Sequence, residues 1–155
     1  MTVAQELLSG SALTVFKLNG QFLAVAEELA RPAELTAASW QVLGTVRAEP
    51  APVAAIAREL GLTRQSVQRT ADLLVDRGLA EYRENPAHRR AKLLVPTDAG
   101  LTAMQRIGPG HAAFAQRLVD EVGEEELTAL LAALHRLSGA LTAVVDGSPT
   151  LEPQR

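Results

Sequence analysis

A mainly α fold with one small β-hairpin is the class that this sequence predicts, and three observations predict it. Apolar residues recur at helical spacing over most of the 155 residues. Stop signals, at Arg31-Pro32, at the run EPAP (49–52), at Gly61, at Gly78 and at Gly123, cut that pattern into separate segments. Only residues 79–96 offer two short strand-like runs around a turn-rich loop. A chain of this length, 47% hydrophobic, supplies one packed core, so a single domain over 1–155 is expected.

The first segment, QELLSGSALTVFKLNGQFLAVAEELA, is helical to about Ala30, with Leu7, Leu8, Val15, Leu18, Phe22, Leu23 and Val25 forming a broad apolar stripe. Thr36 is suited to N-cap a second helix, TAASWQVLGTVRA, in which Trp40, Val42, Leu43 and Val46 are the buried candidates. The prolines of EPAP end it, because proline lacks a backbone donor and restricts the residue before it.

The next stretch, VAAIARELGLTRQSVQRTADLLVDRGLAEY, holds most of the information. Val53, Ile56, Ala57 and Leu60 have helical spacing, Gly61 supplies the positive φ that leaves a helix, and Thr63 can cap the next one. That helix runs to about Arg77, buries Val67, Ala71, Leu74 and Val75, and stops at Gly78. A short helix, a glycine turn and a longer helix make a helix-turn-helix. Since successive residues advance by about 100°, Gln65 and Arg69 fall opposite the apolar face, with Arg64, Ser66 and Gln68 flanking. Arg pairs bidentately with guanine and Gln with adenine, while Ser and Thr serve base edges or phosphate. A plain solvated face would normally carry Asp or Glu in its first two turns, where the helix dipole favours them; here there are none.

After Gly78, LAEYR and AKLLVP are expected as strands, with Leu79 and Tyr82 inward, joined by ENPAHRR. A hairpin directly behind a recognition helix is a wing, so Arg89 and Arg90 at its tip would reach the minor groove or the neighbouring backbone. Thr97 caps a further helix bearing Leu101, Met104 and Ile107, with a kink or break expected at Gly108-Pro109-Gly110 before Phe114, Leu118 and Val122. A last helix, EEELTALLAALHRLSGALTAVV, begins after Gly123 with three glutamates. Leu127, Leu130, Leu134, Leu137 and Leu141 form a short a/d seam on it, and dimerisation is the expected outlet for that surface. Residues from Gly147 to Arg155 read as a frayed tail.

Charge agrees with a nucleic-acid reader once it is split along the chain. The net charge is -3, yet residues 58–92 hold eight basic against five acidic residues, leaving seven basic and thirteen acidic elsewhere. Only the contact face has to attract phosphate. Without cysteine there are no disulfides, thiolate metal sites or thiol switches, and His88, His111 and His135 are scattered without a metal-binding motif. No cofactor motif and no enzymatic constellation such as G-x-S-x-G or a phosphate loop is present, so no enzyme is expected. The N-terminus lacks a basic signal region, and no apolar run is expected to approach the roughly 20 residues needed to cross a bilayer. A cytoplasmic protein with no membrane partner is the expectation.

In the order LTAASWQVLGTV, VAAIARELGLTRQSVQRTADLLVDRGLAEYRENP and RRAKLLVPTDAG, the chain resembles the MarR family of bacterial winged helix-turn-helix transcriptional regulators. The resemblance covers residues 35–100 by motif. It implies a homodimer held by residues 1–30 and 101–146, with 35–100 reading a pseudo-palindromic operator in double-stranded DNA. By position, Thr63, Arg64, Gln65, Ser66, Gln68 and Arg69 would supply groove contacts, Arg90 would be the wing arginine, and Arg89 its neighbour on phosphate. The wing signature D-x-R-x-x-x-x-x-L-T-x-x-G departs at its aspartate, which is His88 here; the loss implies a less ordered or pH-sensitive wing contact. The resemblance also implies a small lipophilic or aromatic effector, for which Trp40 and His111 are the candidate contacts. The expected function is a homodimeric, sequence-specific repressor released by a small molecule. The alternative is a winged-helix protein-interaction module without specific DNA binding.

Overall fold

The computed structural model describes residues 1–147 and bears out the class: six helices and one antiparallel hairpin among the described residues. The tail expected from Gly147 onward lies, beyond that glycine, outside them. Two compact units divide the chain, Met1–Gly110 and a second from His111 onward.

In the first unit, α1 (Val3–Ala30) starts at a capping box in which the Thr2 hydroxyl accepts from Gln5 N and the Gln5 side chain accepts from Thr2 N. A single 3₁₀ turn at Arg31–Ala33 ends it, with Pro32 near its start. Helix α2 (Ala37–Val46) has Thr36 as N-cap, as expected; the Thr36 hydroxyl accepts from Ser39 N at 3.1 Å and donates to Ser39 Oγ at 3.0 Å. A second cap comes from outside the helix, where Glu27 of α1 accepts from Ala37 N at 2.8 Å. Val42, Leu43 and Val46 are buried as read, whereas Trp40 is half-buried and Ser39 takes a fully buried place.

Helices α3 (Val53–Leu60) and α4 (Arg64–Asp76) follow, then β1 (Ala80–Arg83) and β2 (Leu93–Pro96), paired from Ala80↔Pro96 to Arg83↔Leu93. A bridge that the sequence reading missed joins Ala51 to Leu94, with Leu94 N donating to Ala51 O at 2.9 Å. One core holds these pieces together, built from Leu35, Leu43, Ile56, Val67, Leu74, Leu94 and Ile107 among others. Each such side chain contributes roughly 1.5–3 kcal/mol by leaving water.

Helix α5 (Asp98–Val122) contributes to both units and passes through Pro109 without interruption, so the expected break is absent. Gln105, whose carbonyl loses its helical donor to the proline, is exposed and open to water, and the flanking glycines leave the ring uncrowded. The second unit adds α6 (Glu124–Asp146), which starts after Gly123 at φ 96°. None of its residues is buried. One expectation is corrected here: by length and composition α6 is apolar enough to cross a membrane, with a mean hydropathy of 1.4 over 18 residues. His135, Arg136 and Ser138 interrupt the apolar run, but the alanines and leucines around them outweigh the interruption.

Candidate nucleic-acid interface

The turn between α3 and α4 is built by local chemistry. Gly61 has φ 65°, and Leu62 N donates back to Ala57 O at 2.9 Å, the hydrogen bond that closes a Schellman motif. Thr63 then caps α4 by accepting from Ser66 N at 3.1 Å. Val67, Ala71 and Leu74 are buried, and this fixes the opposite side as the free one: Arg64, Gln65, Ser66, Gln68 and Arg69 are all exposed, with Thr63 beside them.

The hairpin is locked onto the end of α4. Thr97 Oγ1 donates to Gly78 O at 2.7 Å, Thr97 N donates to Leu79 O at 3.1 Å, and Gly100 N donates to Thr97 Oγ1 at 3.2 Å. One threonine thus ties the stop of α4, the return of β2 and the start of α5. At the tip, Asn85 folds the loop: its side-chain oxygen accepts from Ala87 N at 3.0 Å and its carbonyl from His88 N at 3.1 Å. The His88 carbonyl accepts from Ala91 N at 3.1 Å, which leaves Arg89 and Arg90 exposed at the turn.

Wing and helix face each other across a cleft of about 530 Å³ whose lining includes Arg64 and Gln68 from α4, Tyr82 from β1, and His88, Arg90 and Lys92 from the wing, with Pro52 and Val53 at the start of α3. The fold therefore brings Arg64, Gln68 and Arg90 together, as the sequence reading required. Arg89 is not among the lining residues, and Lys92 is a member that reading did not select. Gln65 and Arg69 share a neighbouring depression of about 430 Å³ with Arg64, Gln68 and Asp72. Among the described residues the ion pairs are Arg31–Glu28 and Arg83–Glu81, so Arg64, Arg69, Arg89, Arg90 and Lys92 have no acidic partner.

A polar ring lies on the edge of the cleft. Gln68 Nε2 donates to Asp72 Oδ1 and to the Tyr82 hydroxyl, both at 2.9 Å, and the Tyr82 hydroxyl donates to Asp72 Oδ1 at 2.6 Å. The Tyr82 and Gln68 hydrogen bonds hold the Asp72 carboxyl below its ordinary value, against a small opposing effect of burial. Burial first, and then the hydrogen bond to Asp72 and its charge, push the Tyr82 hydroxyl up to about 12. The spacing of Gln68 and Asp72, four apart on a helix, was visible in the sequence. Tyr82, fourteen residues from Gln68, was not.

Trp40 and His111 are not brought into either cleft. Trp40 packs half-buried against the core from α2, and His111 is exposed on α5.

A helix-turn-helix followed by a wing, with unpaired cations on both, defines a winged-helix DNA-binding regulator. Residues 33–91, the helix-turn-helix and most of the wing, match the model of the MarR family. An uncharacterized protein of Mycobacterium tuberculosis is 41% identical over 129 residues, spanning 83% of this chain and 90% of the relative. Among solved structures, a mutant of MarR from E. coli complexed with operator DNA has the same fold, with a TM-score of 0.74 at 22% identity over 88% of this chain and 99% of its own. The transcriptional repressor CouR bound to a 23-mer DNA duplex is 29% identical, with a TM-score of 0.71 over 83% of this chain and 91% of its own. CouR from Rhodococcus jostii RHA1 has also been solved bound to p-coumaroyl-CoA, at 20% identity and a TM-score of 0.71 over 81% and 90%. The chain belongs to the MarR family, and it is a transcription regulator, not an enzyme.

Proposed function

We propose that this protein is a cytoplasmic, homodimeric, sequence-specific repressor that places α4 in the major groove of each operator half-site and its wing in the adjoining minor groove. The gathering of five exposed cations, Arg64, Arg69, Arg89, Arg90 and Lys92, on α4 and the adjoining wing, three of them lining one cleft, is the observation that supports this reading most. A cation with no carboxylate beside it keeps its full charge for phosphate, and an anionic polymer satisfies a row of them together. Thr63, Arg64, Gln65, Ser66, Gln68 and Arg69 are the proposed groove residues, with Arg90 in the minor groove and Arg89 on phosphate. The helical portions 1–30 and 101–146 are proposed to hold the two copies together, since each exposes a long apolar stripe; Phe16 and Leu7 of α1 are 70% and 66% exposed. Release by a small lipophilic or aromatic effector touching Trp40 or His111 completes the proposal.

Fluorescence anisotropy with the DNA upstream of the gene, a scrambled duplex and a salt series tests it. Binding should prefer the upstream fragment and weaken steeply with salt; Arg89→Ala should lower the slope of log affinity against log salt by about 1 per phosphate contact in each copy, and Arg90→Ala should weaken binding through the wing. Equal weak affinity for both duplexes, followed by no enrichment from random DNA, would transfer the reading to a protein-interaction module.

A further inference from the structure

Gln68 differs from the other candidate readers on α4, Gln65 included, in what its side chain has left to offer DNA. An amide side chain has two donor hydrogens and one acceptor oxygen. Both donors are used inside the protein, one on Asp72 Oδ1 and one on the Tyr82 hydroxyl, each at 2.9 Å. Tyr82 closes the ring by donating to the same carboxylate oxygen at 2.6 Å. What remains is Oε1, which takes no hydrogen bond among the described residues, on an exposed side chain bordering both clefts.

The negative charge of Asp72 fixes this polarity. A carboxylate only accepts, so turning the amide over would set Oε1 against it with no hydrogen between them. The Tyr82 hydroxyl, already committed to Asp72, cannot compensate. An acceptor-only side chain is also selective toward DNA. Phosphate oxygens are acceptors and offer Oε1 nothing. In the major groove guanine presents N7 and O6 and thymine O4, again acceptors, while adenine N6 and cytosine N4 carry the amino groups that donate.

Resting on the sequence-specific DNA binding proposed above, we infer that Asp72 and Tyr82 are specificity-determining residues that hold Gln68 as a hydrogen-bond acceptor, so that it selects an amino-bearing base, adenine or cytosine, without separating the two. A glutamine free of such a ring would instead pair with adenine through both of its amide groups. Asp72 and Tyr82 are positioning residues; Gln68 makes the contact.

Selection from random duplex DNA with the full-length protein, followed by sequencing, tests this on wild type, Gln68→Ala and Tyr82→Phe. Wild type should show one position per half-site at which adenine and cytosine are enriched about equally, and Gln68→Ala should lose the preference there alone. Tyr82→Phe keeps the ring's shape but returns one hydrogen to the amide, which can then reach adenine N7. Adenine should gain over cytosine on the order of tenfold. A Gln68-dependent position that prefers guanine or thymine, a Gln68→Ala pattern identical to wild type, or an unchanged pattern in Tyr82→Phe would each overturn the inference while leaving DNA binding intact. Failure of wild type to enrich any sequence would overturn the sequence-specific reading and this inference with it. A second readout needs no DNA, because the chain has a single tyrosine. Its spectrophotometric titration should move down from about 12 in Asp72→Asn, and a titration unmoved by that change would show that the ring does not form.

Discussion

At the scale of single residues, position 100 shows how narrow the tolerance is where the wing meets the helices. A Cβ built on Gly100 would lie 2.0 Å from the carbonyl oxygen of Leu79, a backbone atom held in place by its bond from Thr97 N. No rotamer relieves that overlap, because neither atom belongs to a flexible side chain. Gly100→Ala should therefore push α5 away from the strand entry and destabilise the fold by at least the roughly 1–3 kcal/mol typical of overpacking. Urea denaturation measures it, and a midpoint equal to wild type would mean that the close approach is absent in solution. Thr97 and Gly100 were legible in sequence as a helix start, since capping depends on neighbours along the chain. Their second role, receiving the end of α4, depends on residues 78 and 79 and is a property of the fold. The Gln68–Asp72–Tyr82 ring was hidden for the same reason: only its helical half has a sequence spacing that brings partners together.

At the scale of elements, α4 depends on the residue that caps it. The Thr63 hydroxyl accepts from Ser66 N, and no acidic side chain in the first turn shares the task of stabilising that end. The absence of acid keeps the helix start free of charge that would repel phosphate, so the cap alone carries the local stability. Thr63→Ala should cost about 0.5–2 kcal/mol in chemical denaturation, and Thr63→Ser, which retains the oxygen, only a small part of that. If alanine and serine variants unfold alike, the hydroxyl is not the cap. Elements with strong local signals came through the sequence reading best: α2 and α4 begin directly after their predicted caps, Thr36 and Thr63, and α3 ends at Gly61, while α2, α4 and the two strands are one or two residues shorter than read. The Ala51–Leu94 bridge did not, because one paired residue between prolines has no periodicity to detect. At Pro109 the helix continues without the break that was one of the two outcomes expected there. The proline's local rule is strong, but an exposed helix surface with glycine on both sides removes most of the rule's cost.

At the scale of the whole molecule, the apolar surface of the terminal helix is larger than the fold of one copy uses. Leu130, Leu131, Leu134 and Leu141 of α6 are 42–55% exposed, and Val144 reaches 64%. Surface of that extent in water favours association with a matching surface. Leu127, Leu130, Leu134, Leu137 and Leu141 recur at alternating steps of three and four, the spacing of a helix that pairs along one side. Three glutamates at its start and Arg136 near its middle oppose insertion into lipid. A second copy of the chain is thus the occupant that the pattern favours, and the proposed dimer would also bring two recognition helices to one operator. Replacing Leu134 and Leu137 together by glutamate should convert the dimer to a monomer in sedimentation equilibrium. Helix content by circular dichroism should fall little, because neither leucine is buried within one copy. Operator affinity should collapse in the same variant, since each half-site must then be bound without the help of the other. A variant that remains dimeric would place the interface elsewhere, and one that becomes monomeric yet binds the operator as wild type does would separate dimerisation from DNA recognition.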